Sequence, residues 1–421
     1  MQHQIDAEKL GPSGPAMAGV VQSCVHCGLC LSACPTYQVL GEEMDSPRGR
    51  IYLMKYVLEG ELPAADAQPY LDRCLGCWAC VPACPSGVAY GELLTHYRAA
   101  TANQRQASWR DAATRKMLVE TLPYPGRFRK AVAAGRIGRA VQRLLPDAWR
   151  GMLDLLPAAL PQSDPLPDMF PARTRRRARV ALLTGCVQSV LAPEINWATL
   201  RVLAHNGVET IVPSAQGCCG AILMHLGEHE RARQLARHNM QVFPQDVDAI
   251  LTNAAGCGSG MHDYQRLFAG AEDQAAAEAF SACVQDVSVF LDQLGLEPPG
   301  PLPVPLRVAY HDACHLLHAQ GVRDQPRRLL GRIPNVELLE LNDGGMCCGS
   351  AGVYNLLQPE IARQLGDRKV ARILDTGADA VVTGNLGCLT QIQAHLRRLS
   401  QDLPVYHTMT LLERAYSASD D

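Results

Sequence analysis

The chain has 421 residues, 47% of them hydrophobic, and sets 39 Lys and Arg against 42 Asp and Glu for a formal charge of −3. That length fills two or three domains with cores of their own, so metals are not needed to hold a small scaffold together. A near-neutral balance with only 5% aromatic residues excludes a nucleic-acid-binding surface, which needs a basic excess and stacking rings.

Residues Met1 to Gly14 contain no basic stretch followed by an apolar core, and no window approaches 18 uninterrupted apolar residues. Neither a secretory leader nor a spanning helix is expected. Seventeen cysteines without an export signal make the reducing cytoplasm, where thiols stay free, the expected location.

A first module, mostly helical, is expected from about 15 to 97. Two cysteine runs share one spacing, Cys24-x2-Cys27-x2-Cys30-x3-Cys34-Pro35 and Cys74-x2-Cys77-x2-Cys80-x3-Cys84-Pro85. This is the spacing of a bacterial ferredoxin with two [4Fe–4S] clusters, in which three thiolates of one loop and the fourth of the other hold each cube. Cluster one is thereby assigned to Cys24, Cys27, Cys30 and Cys84, and cluster two to Cys74, Cys77, Cys80 and Cys34. Zinc sites use separated pairs and give no reason for a third cysteine or a Cys-Pro ending; disulfides suit neither crowded cysteines nor an odd total. His26 and Trp78, lying between ligands, are read as packing or surface residues.

Between the runs, Ser46 before Pro47 predicts a helix cap, and Ile51, Met54 and Leu58 predict an amphipathic helix that covers the clusters. Arg48 and Arg50 are read as ordinary surface arginines; the competing reading is hydrogen bonding near cluster sulfurs.

A basic helical connector with a proline-rich linker is expected over 98–177. Its Arg and Lys fall at 105, 110, 115, 116, 127, 129, 130, 136, 139 and 143, and Pro157, Pro161, Pro165, Pro167 and Pro171 mark a domain boundary. The basic face reads equally as a dock for an acidic partner or an anionic membrane surface and as a solvated arm.

The remainder is a duplication, with copies expected at 178–300 and 301–417. Arg-Val-Ala-Leu-Leu-Thr-Gly-Cys186 recurs as Arg-Val-Ala-Tyr-His-Asp-Ala-Cys314, Gly-Cys218-Cys219-Gly220 as Met-Cys347-Cys348-Gly349, and Gly-Cys257 as Gly-Cys388, at offsets of 128, 129 and 131 residues. Short β-branched runs ending in a cysteine turn alternate with helical segments at Pro193 to His205, Glu228 to Val242 and Pro359 to Leu374. That alternation predicts an α/β fold with a mainly parallel sheet and its site on loops at strand ends. Cys186, Cys218, Cys219 and Cys257 are expected to converge, as are Cys314, Cys347, Cys348 and Cys388. Each foursome is a candidate ligand set for a further iron–sulfur cluster, against the alternative of buried structural thiols. Cys283 has no counterpart and is read as an inert packed thiol. His311 and His315 would share one helical face if a helix begins at the first of them; together with His318 they are candidates for a metal or proton relay.

Two ferredoxin runs followed by two Cys…Cys-Cys-Gly…Cys repeats resemble the iron–sulfur subunits of bacterial glycolate oxidases, as do Asp45-Ser-Pro-Arg-Gly-Arg-Ile-Tyr-Leu-Met-Lys55 and Leu71-Asp-Arg-Cys-Leu-Gly-Cys77. The resemblance implies FAD-binding partner subunits that oxidise glycolate to glyoxylate, with this chain passing electrons to a quinone or another acceptor and touching the inner membrane only peripherally. The wider group includes iron–sulfur subunits of lactate-utilisation proteins, anaerobic glycerol-3-phosphate dehydrogenase and heterodisulfide reductase. In the last of these, to which the repeat region is similar, a fifth cysteine completes a catalytic cluster; here that position is Gly260 or Gln391, which puts such catalysis in doubt. No dinucleotide fingerprint opens a βαβ unit, and hydride abstraction from a hydroxy acid needs a two-electron acceptor. The chain is therefore expected to carry electrons, with no catalytic residue of its own.

Overall fold

The computed structural model describes residues 1–138, 153, 155–157 and 159–420. Arg139 and Arg143 of the basic connector lie outside them. Among the described residues no helix is long and apolar enough to cross a membrane.

The N-terminal module is built from helices Gly14–Ser23, Pro35–Leu40, Pro47–Leu58, Ala64–Asp72 and Tyr90–Ala100. The Ser46 hydroxyl accepts the Gly49 N–H at 3.0 Å and Pro47 supplies a preset φ, so the central helix starts there. Ile51, Met54 and Leu58 are buried on one face of it, against Met17, Val21, Leu93 and Leu94. The first residues belong to this body too: Ile5 joins the core, and the terminal ammonium of Met1 donates to the carbonyl oxygen of Cys24 at 2.8 Å.

Of the connector, helices Trp109–Thr121 and Pro125–Gly138 are described. Its basic residues divide. Arg105 makes a two-pronged contact with Asp72 at 2.7 and 2.6 Å, and Arg115 lies 3.7 Å from the same carboxylate, so both turn toward the N-terminal module. Arg110, Arg129 and Lys130 face solvent.

The duplicated half forms two sheets. In the first, β1 (Met169–Phe170), β2 (Ala178–Leu183), β3 (Val208–Ile211), β4 (Ala249–Thr252) and β5 (Val284–Asp286) lie in the order β1-β3-β2-β4-β5, all parallel except β1. In the second, β6 (Leu306–His311), β7 (Val336–Glu340), β8 (Ala380–Thr383) and β9 (Val405–His407) are ordered β7-β6-β8-β9 and fully parallel. All four residues of β4 and of β8 are buried, as expected for strands covered by helices on both faces. Val180 and Leu182 of one copy share a core with Val308, Tyr310, Leu411 and Leu412 of the other, so the copies fold as one body.

Within each copy the chain leaves the central strand, returns to one side of it, then crosses to the other. The crevice at the carboxyl ends of these strands is the topological switch point of an α/β sheet. Every repeat cysteine sits there: Cys186 and Cys314 just after the central strands, the paired cysteines after β3 and β7, and Cys257 and Cys388 in the first turns of helices Ala255–His262 and Leu386–Arg398.

Gly220 and Gly349 close the paired-cysteine loops at φ +81° and +89°. A Cβ at 349 would stand 2.8 Å from the Ala362 carbonyl oxygen, whereas at 220 the nearest atom is 3.4 Å away. Gly349→Ala is therefore expected to destabilise the protein by about 2 kcal/mol or more, and Gly220→Ala by about 1 kcal/mol. Thermal melts of the two variants check the order, and equal losses would contradict the tight seat of helix Pro359–Leu374 on the second loop.

Candidate metal centres

The two ferredoxin loops bend by the same device. His26 (φ 56°) and Gly28 (φ 86°) are left-handed in the first, Gly76 (φ 63°) and Trp78 (φ 60°) at the matching positions of the second. Alternating handedness turns successive peptide N–H groups toward one concavity, a nest suited to anions. The N–H groups of His26, Gly76 and Ala79 hydrogen-bond the sulfurs of Cys24, Cys74 and Cys77. His26 and Trp78 thus shape the loops at a cost of about 1–3 kcal/mol each, a role beyond the packing or surface position read from sequence.

The structure brings the eight cysteines into two adjoining wells. Cys24, Cys27, Cys30 and Cys84 line one, Cys34, Cys74, Cys77 and Cys80 the other, and Cys80 also borders the first. The wells differ in exposure. Cys27 is open to solvent and Cys30 and Cys84 are half-buried, whereas all four sulfurs of the second well are buried. Four thiols apiece, with no carboxylate among the described residues of either wall and peptide N–H groups aimed inward, fit the thiolate ligation of an iron–sulfur cube.

Arg50 corrects the reading of its position as an ordinary surface arginine: it is 1% exposed. Its guanidinium donates to the Tyr70 carbonyl at 2.8 Å, to Thr36 Oγ1 at 3.0 Å and to Asp45 Oδ1 at 3.1 Å, and reaches Cys34 Sγ at 3.9 Å. Asp45, fully buried, takes a second cation from Arg73 at 3.0 Å. Arg48 stays partly exposed and braces the first loop, donating to the His26 carbonyl at 3.1 Å and to Glu43 at 2.6 Å. Burial opposes ionisation of Cys74, but the charges of Arg50 and Arg98 and the Tyr90 hydroxyl, 3.4 Å from the sulfur, hold that thiol below the ordinary cysteine range. Cys77 and Cys80 are pushed well up by burial, reinforced by the neighbouring Cys314 and Cys77 sulfurs respectively.

The repeat cysteines also meet in fours. In the first copy Cys186 Sγ lies 3.2 Å from Cys218 Sγ, and Cys219 takes hydrogen bonds from both Cys218 and Cys257. In the second, Cys314 and Cys347 are 3.8 Å apart and Cys348 takes hydrogen bonds from Cys347 and Cys388. Those contacts pull the middle thiol, Cys219 or Cys348, well below the ordinary range and raise its donors. Peptide N–H groups of Gly220 and Gly349 cap Cys218 and Cys347, each at 3.4 Å.

Both fifth positions are filled. A Cβ at 260 would stand 2.5 Å from Ala221 Cβ, so the first copy has no room there for any side chain. Gln391 is held in a buried polar net, accepting from Asn355 at 2.9 Å and donating to the Ala362 carbonyl at 3.5 Å. Two further readings need correction. Cys283 ends a helix facing solvent and is exposed, because the helical periodicity of Gln274–Cys283 puts Ala277, Phe280 and Ser281 inward instead. His311 and His315 do not share a helix: His311 is the last residue of β6, and His315 opens a π-type turn. The three histidines serve different places, with His318 facing the Gly345 carbonyl at 3.2 Å.

His315 joins the two halves. Its Nε2 donates to the Gly76 carbonyl at 2.8 Å, its ring stacks on Trp78, and the Tyr354 hydroxyl donates to the Arg73 carbonyl at 2.9 Å. Cys77 and Cys314 meet in the small core that this contact closes.

Comparison with known proteins follows the same division. Residues 20–115 match the 4Fe-4S dicluster domain, and residues 180–262 and 308–393 match the Cysteine-rich domain CCG, which defines the chain as an iron–sulfur protein with a duplicated CCG region. It is 35% identical over 403 residues to the glycolate oxidase iron-sulfur subunit of Escherichia coli, and 36% identical over 419 residues to a probable one of Bacillus subtilis, each match covering 94% of both chains. It also resembles one subunit of the CoM/CoB fumarate reductase of Methanothermobacter marburgensis, at 36% over 57% of this chain and 47% of that one. The chain belongs to the glycolate oxidase iron–sulfur subunit family.

Removing the buried cation should act on one well only. Arg50→Gln is expected to lower the midpoint potential of the redox centre in the second well, by on the order of 100 mV, since a positive charge near a thiolate-bound centre favours its reduced form. Potentiometric EPR titration checks it, and a shift confined to the other centre would contradict the geometry.

Proposed function

We propose that this chain is the electron-carrying iron–sulfur subunit of a flavoprotein complex that oxidises glycolate to glyoxylate, holding one [4Fe–4S] cluster on Cys24, Cys27, Cys30 and Cys84 and another on Cys34, Cys74, Cys77 and Cys80. The observation that carries it is the pair of adjoining four-thiol wells, one open to solvent and one buried against the second repeat. When bound, each cluster takes up and gives back one electron at a time.

The residues of the chain set the rest. Arg50, Arg98, Tyr90 and the loop N–H groups offset the thiolate charge of the buried well. Val25 and Leu29, 65% and 57% exposed, form an apolar rim beside the exposed Cys27. Such a rim suits docking of the FAD-bearing partner, and electron entry by this open side follows. The acceptor in this reading is a quinone, which places the protein at the cytoplasmic face of the inner membrane as a peripheral component; the solvent-facing Arg110, Arg129 and Lys130 suit an anionic surface. Disulfide chemistry in the repeats is disfavoured by Gly260 and by the engaged Gln391.

Cys27→Ser or Cys77→Ser is expected to abolish transfer from glycolate to the physiological acceptor in the assembled complex while flavin reduction by glycolate survives. Stopped-flow absorbance of the flavin alongside acceptor reduction separates the two. Loss of flavin reduction in a complex that still assembles would contradict the relay. Lactate in place of glycolate as the better reductant would move the substrate assignment to another hydroxy acid and leave the relay standing.

A further inference from the structure

The side chain of His311 is fully buried, and among the described residues no oxygen or nitrogen stands within hydrogen-bond reach of either ring nitrogen. A buried imidazole with two idle nitrogens is costly in a folded protein. The polar groups it does face are sulfurs: a ring nitrogen of His311 and the sulfurs of Cys348 and Cys388 all lie within 4.8 Å of one another, and all three residues are buried. The Asn385 amide donates to Cys388 Sγ at 3.3 Å. Cys314 and Cys347 complete the rim at 3.8 Å from each other.

The duplication supplies an internal control. Aligning Arg307-Val-Ala-Tyr-His311 with Arg179-Val-Ala-Leu-Leu183 puts Leu183 where the second copy has His311, each as the last residue of its central strand. Leu183 is buried as well. The same strand end therefore delivers a hydrocarbon to the first cysteine foursome and a nitrogen donor to the second.

We propose that the second copy holds a mixed nitrogen–sulfur metal centre, ligated by His311, Cys348 and Cys388 with Cys314 and Cys347 beside them, and that the first copy offers thiolates alone. Thiolate with imidazole selects iron or zinc. A single ion with metal–sulfur bonds of about 2.3 Å sets its donors about 3.8 Å apart, so closing the His311, Cys348, Cys388 triangle asks for a contraction on the order of 1 Å. An imidazole ligand supplies a donor without adding negative charge to a pocket already crowded with sulfur. The centre stands next to the buried ferredoxin well, since Cys314 and Cys77 share one small core.

The inference rests on reading the chain as an iron–sulfur carrier, and the experiment keeps the two apart. Full-length protein, purified anaerobically with and without 15N-histidine, would be assayed for iron and zinc per chain and studied by X-ray absorption at both metal edges and by pulsed EPR. Metal in excess of about eight irons, the content of the two ferredoxin wells, with a histidine nitrogen in its shell, is the expected result. In His311→Leu, which installs the residue of the first copy, that nitrogen signal should vanish and the excess metal should fall by half or more, with the ferredoxin EPR unchanged. About eight irons with no excess metal, or excess metal in a sulfur-only shell, would overturn the His311 site and leave the electron-transfer reading intact. The wild-type spectra decide even where the variant fails to fold.

Discussion

A thiolate buried away from water is unstable unless something near it offsets the charge, and this chain gathers sixteen of its seventeen cysteines into fours. Nearly every unusual residue in the fold answers that constraint. Arg50 sits at full burial because Cys34, Cys74 and Asp45 surround it with negative charge. The left-handed turns at His26 and Trp78 shape the ferredoxin loops, and the glycines that follow the paired cysteines aim peptide N–H groups at the sulfurs.

The duplicated half meets the same constraint with a different device. A parallel sheet that winds outward from its central strand leaves one crevice at the strand ends, and three loops empty into it. One fold thus makes two cysteine sites from two sets of sequence, and the sites diverge at single positions. His311 against Leu183 changes the donor set; Gly260 against Gln391 changes what occupies the fifth corner.

Much of this is legible in the sequence where the signal is local. Cysteine spacing is a short-range property, so the ferredoxin loops and the repeat can be read directly, and the Ser46 cap and Ile51, Met54, Leu58 stripe follow from neighbours within a few turns. Arg50 cannot be placed that way, because its partners Thr36, Tyr70 and Asp45 arrive from three separate elements. The exclusion of a side chain at 260 depends on Ala221, and the isolation of His311 on a strand ending one residue later than the apolar run implies. Cys283 escapes a sequence reading because a lone cysteine carries an apolar prior, while the helix phase decides which way it points.

The unequal exposure of the two wells has a bearing on life in air. A solvent-facing thiolate is where oxidants strike first, and Cys27 is the one fully exposed sulfur among the ferredoxin eight. Oxidative damage will therefore start at the outer well and leave the inner one, sheltered by His315 and Tyr354, for last. Damage that begins at Cys27 leaves the buried thiols of the inner well intact, so repair need reach only the surface loop.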